Sequence, residues 1–527
     1  MSVSQSERVA IIGGGCTGIT SFWALQNSGH DVHLFEASNG LGGRIKSLSF
    51  EHNGSQVKVN SESPIFNVEA SPNLDSLLRF LGVSTVEHRF SVRTTDGASS
   101  SWWCGSILHS VLRRPWMLCS KETYIVLSDI IWLKYLAIDV LGYQIQPASA
   151  HSIESRFSVQ RYLSEAGYSA SFRDKYLAPM LSVLWGTNAG KLLPRLPVQV
   201  AIRCLYNYQL LRPRQNVPRW RRIELGANHL VEALSRDLDF SKVHLEARIR
   251  QVTRYDKRIY RLVTEDGREM DFNRIIFAVD GEETMRILGT HASAQEKKII
   301  GGLGTTKNIS VLHSDSLLLL ESKHPTSAYN YMLESIVPEH SLDAFTPRRS
   351  SLSFNVNTLD GLPPFIYGPI YITLNPYMPP HPSVVQSVCE FTDLDPTFCT
   401  LQAQRDLPII QDKRGLSYGF CWTGRGHLED AITTGLRIAT EHLNAEVPFQ
   451  VRYHPEPLAA DLSTPSIGLS VHMIRTLLRL LQLCILILKL LMLLLPEPVS
   501  RVIARCNRHT RSEAREARVN GFLSREV

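Results

Sequence analysis

The sequence predicts an α/β protein with a split Rossmann-like nucleotide-binding domain, an α+β substrate domain and a C-terminal hydrophobic helix. Three observations predict it. The apolar run Arg8-Val9-Ala10-Ile11-Ile12 leads into Gly13-Gly14-Gly15-Cys16-Thr17-Gly18. Segments of similar strand and helix character return at 223–290 and 411–449, after long stretches of different composition. Residues 467–495 are almost wholly aliphatic, and Pro496 closes them.

Each element of the first unit has a physical job. Gly13 makes a tight turn, Gly15 lets the backbone approach a pyrophosphate, and Gly18 lets a helix pack on the strand. Cys16 and Thr17 open that helix, whose unpaired N–H groups and positive dipole face the phosphates. Residues 31–35 read as the second strand, so Glu36 falls where a carboxylate accepts hydrogen bonds from a ribose. Strand, loop, helix, strand and acid in this order are far more specific than the glycines alone. They leave NAD(P) and FAD both open. Gly40-Leu41-Gly42-Gly43-Arg44 decides for FAD, because a second glycine turn carrying Arg44 just after the ribose acid suits a longer cofactor.

The chain has 527 residues, 43% apolar and 20% charged, which is ordinary for a globular protein of two or three domains. Much of its net charge of +6 sits in the arginine-rich residues 496–527, so the body carries no nucleic-acid footprint. Nine cysteines lack a CxxC or a Cys/His cluster, which indicates reduced intracellular thiols and no metal site. Residues 1–7 are polar and too short for a signal peptide. The patterns at Asn53 and Asn308 read as chance matches to a glycosylation site.

The organisation follows from changes of character along the chain. Residues 1–70 form the first part of the FAD-binding domain, 223–290 the second and 411–449 the third. Between them, 71–222 read as a helical substrate part, with helical periodicity at 124–141 and 159–184, and 291–410 as a sheet of short strands roofing a cavity. A helix from 431 is entered through Leu428, Glu429 and Asp430, which aims N–H groups at whatever lies in front; helix capping by the two acids explains the same residues. Residues 450–466 read as a linker. Within 467–495, His472, Arg475, Arg479, Gln482 and Lys489 fall on one helical face. Interfacial anchoring, a spanning tail anchor and burial against protein all remain open for it. The arginine-rich tail favours an intracellular membrane with the body facing the cytosol.

With these cofactor segments in view, the chain resembles the flavin amine oxidase, protoporphyrinogen oxidase and phytoene desaturase superfamily. It looks most like the FAD-binding proteins that accompany cyclopropane fatty acid synthases. The shared landmarks include Gly13 to Gly18, Glu36, Gly40 to Arg44, Phe66-Asn67, Thr373-Leu374-Asn375-Pro376 and the segment 424–435. The resemblance implies that Gly13, Gly15 and Gly18 hold the pyrophosphate, Glu36 the ribose, and Gly42, Gly43 and Arg44 the middle of FAD. It implies that the Ile249 backbone pairs with adenine, and that Trp422 with Leu428, Glu429 and Asp430 lies at the flavin. The chain departs from its relatives at Glu62 and Phe420, which stand where they carry glycine, at Gly226-Ala227 in place of paired glycines, and at His427, displaced by one position.

Two candidate catalytic residues follow. Lys307 lies near the lysine that in some amine oxidases reaches the flavin through water; a solvated lysine at a strand start explains it equally simply. Glu62, if it faces the ring, is an acid or base of raised pKa, and otherwise a loop carboxylate. Trp102, Trp103, Trp185, Tyr329 and Tyr331 are candidate cavity walls or core. The expected activity is membrane-associated oxidation or reduction of an apolar small molecule or lipid by hydride transfer to flavin. The alternatives are an amine oxidase, and a degenerate flavin-binding scaffold for a partner methyltransferase.

Overall fold

The computed structural model describes residues 6–61, 65–96, 100–104, 115–142, 158–211, 219–256, 258–319, 327–334, 348–452 and 468–494. The chain forms two units, Met1–Thr464 and Pro465–Val527.

The first apolar run is the central strand, Arg8–Ile12, of a five-stranded parallel sheet. Its order is Val243–His244, Asp31–Phe35, Arg8–Ile12, Arg274–Phe277, Leu416–Tyr418. Three distant stretches of sequence therefore meet in one sheet. Ile11 pairs with Leu34 on one side and Ile276 on the other, and all three are buried. Both faces are covered, which is why these strands read as continuous apolar runs. Helices Cys16–Leu25, Ala227–Ser235 and Leu428–Arg437 cover one face. The antiparallel strands Ile249–Asp256, Ile259–Thr264 and Glu269–Phe272 and helix Gly281–Leu288 cover the other.

The helices Cys16–Leu25 and Leu428–Arg437 approach closely because Gly435 has no side chain. A Cβ there would stand 2.6 Å from the Thr17 carbonyl oxygen, and Ser21 Oγ donates to the Gly435 carbonyl at 3.2 Å.

The second layer is a seven-stranded sheet in the order Val385–Leu394, Thr305–His313, Tyr371–Leu374, Ser350–Asn355, Tyr329–Leu333, Ser91–Thr95, Ser100–Cys104. Only the pairing of Tyr329–Leu333 with Ser91–Thr95 is parallel. The last two strands lie within 71–222, which the sequence reads as helical. Ser91–Thr95 buries Arg93 and Thr94 beside Val92, so it lacks the alternation of apolar and polar residues that marks a strand. The expected helix at 124–141 is Lys121–Leu136, followed by a 3-10 turn, Ala137–Gly142. The one expected at 159–184 is broken into Val159–Glu165 and, past the left-handed Gly167, Ala170–Phe172 and Ala178–Trp185 around a π turn. A single large core joins these helices to the seven-stranded sheet.

The body's last described segment is fastened by Asn73 on helix Pro72–Phe80. Its Oδ1 accepts from the Arg452 amide at 2.7 Å, and its Nδ2 donates to the Arg452 carbonyl at 2.6 Å. Phe449 stacks on Trp23 beside it.

The described residues of the second unit form one helix, Leu469–Leu494. Its stretch Leu469–Leu488, with mean hydropathy 1.8, is long and apolar enough to cross a membrane by length and composition. Among the described residues it is the one helix of that kind.

Candidate functional site

One cavity collects residues from 1–70, 71–222, 291–410 and 411–449, and none of its lining residues comes from 223–290. Gly15, Cys16, Thr17, Gly42, Gly43 and Arg44 form its phosphate-loop wall. Ile65, Phe66, Val183, Leu184, Trp185, Tyr208, Trp220, Tyr329, Phe354, Leu374 and Phe420 supply an apolar and aromatic wall. Ser71, Leu74, Asp393, Cys421, Gly426, His427, Leu428, Glu429 and Ala431 also line it.

The phosphate loop is built as the glycine spacing requires. Gly13 has φ +108°, and a Cβ on Gly18 would overlap the Gly13 carbonyl oxygen, so helix and strand meet only through glycine. Gly15 differs. A Cβ there has no atom within 4 Å, so this position is kept open toward the cavity rather than for packing. The second glycine turn docks on the first, with the Gly42 amide donating to the Gly14 carbonyl at 2.8 Å.

Glu36 accepts from the Gly14 amide at 2.7 Å on Oε2, and from the Ser38 amide and hydroxyl, each at 2.8 Å, on Oε1. Of about four acceptor positions on a carboxylate, three are used, which leaves one for a ribose hydroxyl. The open Gly15, the helix N-terminus and this carboxylate together fit the nucleotide half of a flavin dinucleotide.

Arg44 is fixed by an ion pair with Asp393 and lies over the Phe391 ring, 4.5 Å from its centroid. Asp393 also accepts from Asn308 Nδ2 at 2.7 Å. Sequence reasoning missed Asp393. It belongs to an edge strand far along the chain, and only the sheet brings it to Arg44.

The aromatic wall is continuous. The ring of Trp185 is 5.7 Å from His427, and His427 is 5.7 Å from Tyr208, which stacks on Trp220 at 5.3 Å. Phe90 links Trp220 to Tyr329, and Tyr329 meets Phe354 at 5.6 Å. Trp185 and Tyr329 thus stand where expected, while Tyr208, Trp220 and Phe354 went unread. Tyr331 lies elsewhere in the core, donating to Ser350 Oγ. The side chains of Trp102 and Trp103 lie outside the described residues.

The titratable groups of the wall are held or neutral. Tyr208 Oη and His427 Nδ1 are 2.6 Å apart. Burial pushes the imidazole down to about 4 and the phenol well above its ordinary value, so both are neutral where they meet. Burial pushes the Glu429 carboxyl up to about 7. That carboxylate caps the neighbouring helix Pro72–Phe80, accepting from the Asn73 amide at 3.1 Å and the Leu74 amide at 2.7 Å.

The structure places the other expected site residues as follows. Lys307 is exposed on Thr305–His313 and does not line the cavity; strand alternation turns Asn308 inward and Lys307 out. Trp422 is buried with Leu303, Leu394 and Ala403, behind the cavity wall. The Ile249 carbonyl accepts from Arg286 Nη2 at 2.5 Å, and Ile249 is outside the cavity lining. The Glu429 side chain caps a helix, and the Asp430 carboxylate accepts from the Arg425 and His427 amides at 3.0 and 2.9 Å. Glu62 lies outside the described residues.

Residues 11–81 match the family of NAD(P)-binding Rossmann-like domains. An L-amino acid oxidase from Bothrops pictus is 40% identical over 53 residues, 10% of this chain and 11% of the oxidase. The chain thus spans about a tenth of the length of that relative. Among solved structures, putrescine oxidase bound to putrescine has a TM-score of 0.56 at 13% identity, covering 83% of this chain and 98% of that one. A CLA-producing fatty acid isomerase from P. acnes has a TM-score of 0.56 at 14% identity, covering 84% and 99%. Residues 11–81 thus form a Rossmann-like dinucleotide-binding unit, and the fold of the body is shared with putrescine oxidase and the fatty acid isomerase.

Proposed function

We propose that this chain is a membrane-associated, FAD-dependent oxidoreductase acting on an apolar, uncharged substrate region. The observation that carries this reading is the absence of a free carboxylate on the described cavity wall. Asp393 is paired with Arg44, and Glu429, which accepts from the Asn73 and Leu74 amides and the Thr433 hydroxyl, is raised by burial to about 7 and so is a weak counter-ion. An alkylammonium buried there would lack a strong counter-ion, at a cost of several kcal/mol. A fatty-acyl or polycyclic group carries no such cost and gains from contact with the aromatic wall.

When bound, the flavin supplies acceptance of a hydride equivalent from a C–H bond. The chain's own residues do the rest. Gly15 and the start of Cys16–Leu25 hold the pyrophosphate, and Glu36 holds the ribose. Trp185, Tyr208, Trp220, Tyr329 and Phe354 exclude water and orient the substrate. The helix Leu469–Leu494 supports residence at a membrane, where apolar substrates collect.

The test is the absorption spectrum of full-length protein purified in detergent, followed by anaerobic titration with acyl lipids and, separately, with primary amines. Flavin bands that bleach with a lipid and not with amines support the reading. Colourless protein refutes it, and bleaching by amines replaces it with an amine oxidase.

A further inference from the structure

Arg44 leaves the second glycine turn beside the open position of the first. Gly43 has φ +62°, and a Cβ on it would stand 3.1 Å from the Gly15 Cα. Gly15, Gly43 and Arg44 line the same cavity, so the guanidinium emerges where the helix start receives a pyrophosphate. An arginine side chain loses much rotamer entropy on being fixed, so whatever holds it in advance decides what its charge is worth to a ligand.

The seven-stranded sheet supplies that hold. On its edge strand Val385–Leu394, Phe391 and Asp393 are two positions apart and face the same way. The guanidinium lies over the Phe391 ring, and its Nη1 donates to Asp393 Oδ1. Asp393 Oδ2 accepts from Asn308 Nδ2 at 2.7 Å. Asn308 is the register partner of Phe391 on the neighbouring strand. It is fixed in turn, because its Oδ1 accepts from Asn375 Nδ2 at 2.8 Å and from Thr187 Oγ1 at 3.3 Å. Asn308 and Asp393 are both buried. A polar chain buried in this way rigidifies its members when each is bonded, and this one ends at a guanidinium on the cavity wall.

We propose that Asp393, backed by Asn308 and Phe391, is a positioning residue for the flavin dinucleotide: it fixes the Arg44 guanidinium beside the pyrophosphate, so that an edge strand of the substrate sheet takes part in holding the cofactor. A guanidinium has five N–H donors, so a carboxylate can hold one end of the fork while the other addresses a phosphate oxygen. The opposite arrangement is competition, in which the carboxylate draws Arg44 away from the phosphates. Positioning makes Arg44 worth more to the cofactor when Asp393 is present, and competition makes it worth less. The inference rests on the FAD part of the reading above and is independent of the substrate.

The test is a double-mutant cycle on FAD affinity, with Arg44→Met, Asp393→Asn and the pair. Full-length chain stripped of flavin in detergent is titrated with FAD, and quenching of flavin fluorescence gives Kd. The expected result is that Arg44→Met weakens FAD about tenfold in the parent and about twofold when Asp393→Asn is already in place. Thermal unfolding of each apo variant reports structure separately, and a purely structural Asp393 would move that reading without the coupling. If Asp393→Asn does not fold, the same cycle with Phe391→Leu reads the ring that backs the guanidinium, with the same outcomes. An equal loss in both backgrounds overturns the positioning role and leaves the flavin reading standing. A larger loss with Asp393→Asn overturns it in favour of competition. A parent chain that takes up no FAD overturns this inference and the flavin reading together.

Discussion

Tyr208 Oη and His427 Nδ1 share a hydrogen bond of 2.6 Å, in a cavity wall where burial keeps both groups uncharged. Tyr208→Phe keeps the stacking on Trp220 and removes only this bond. The expected loss is about 1–3 kcal/mol in urea unfolding, the cost of a buried polar group left unpaired.

Gly15 and Gly18 separate cofactor binding from folding. Gly15→Val places its side chain in open space, so apo stability stays within about 1 kcal/mol of the parent while flavin content is lost. Gly18→Ala drives a methyl into the Gly13 carbonyl, and about 3 kcal/mol or more of stability is lost even without cofactor. Flavin absorbance per chain and thermal unfolding of apo protein check both.

Glu429 and His427 give stability two opposed pH dependences. Burial raises Glu429 from 4.5 to about 7, so the folded state holds the extra proton; its contribution is complete below 4.5 and is lost as pH rises toward 7. His427 is lowered from 6.5 to about 4, so the unfolded chain holds the extra proton and stability is lost as pH falls from 6.5 to 4. Glu429→Gln therefore leaves a stability that climbs with pH over 4–6.5, relative to the parent. His427→Gln leaves one that declines over 4.5–7. Each swing is on the order of 3 kcal/mol, read by denaturant unfolding at a series of pH values.

Arg44→Ala strands the Asp393 carboxylate, whose side chain is 10% exposed. The expected cost is about 3 kcal/mol, and adding Asp393→Asn recovers about half of it. A double-mutant cycle by calorimetry measures the coupling.

Lys307→Met is expected to leave flavin reduction unchanged in single-turnover kinetics, because the side chain is exposed and outside the cavity lining. A tenfold or larger loss, about 1.4 kcal/mol of barrier, would return Lys307 to the chemistry.

The nucleotide half was legible because its signals are local. Gly13, Gly15 and Glu36 sit at fixed spacings within one strand-loop-helix-strand unit, and of the strands that the sheet unites, 8–12 and 274–277 are apolar runs visible in the sequence, while Leu416–Tyr418 is too short and mixed to be one. The substrate half was not legible, because its wall is assembled from distant positions. Tyr208 and His427 are 219 residues apart, Arg44 and Asp393 349 apart. The buried polar residues Arg93 and Thr94 concealed a strand for a related reason: only tertiary contact explains their burial. Glu429 lies at a helix start and on the cavity lining as read, while its side chain caps the neighbouring helix Pro72–Phe80, a contact between distant positions that the sequence does not show.

The Asn73 clamp has a mechanical consequence. Two short bonds, one to each backbone polar group of Arg452, fasten the chain as a rivet fastens a strap. Asn73 also donates to Thr433 Oγ1 at 2.8 Å, so the rivet is seated on the helix whose first turn lines the cavity. Because one side chain makes all three bonds, they are lost together, and the segment that ends at Arg452 is held to the helix whose first turn lines the cavity.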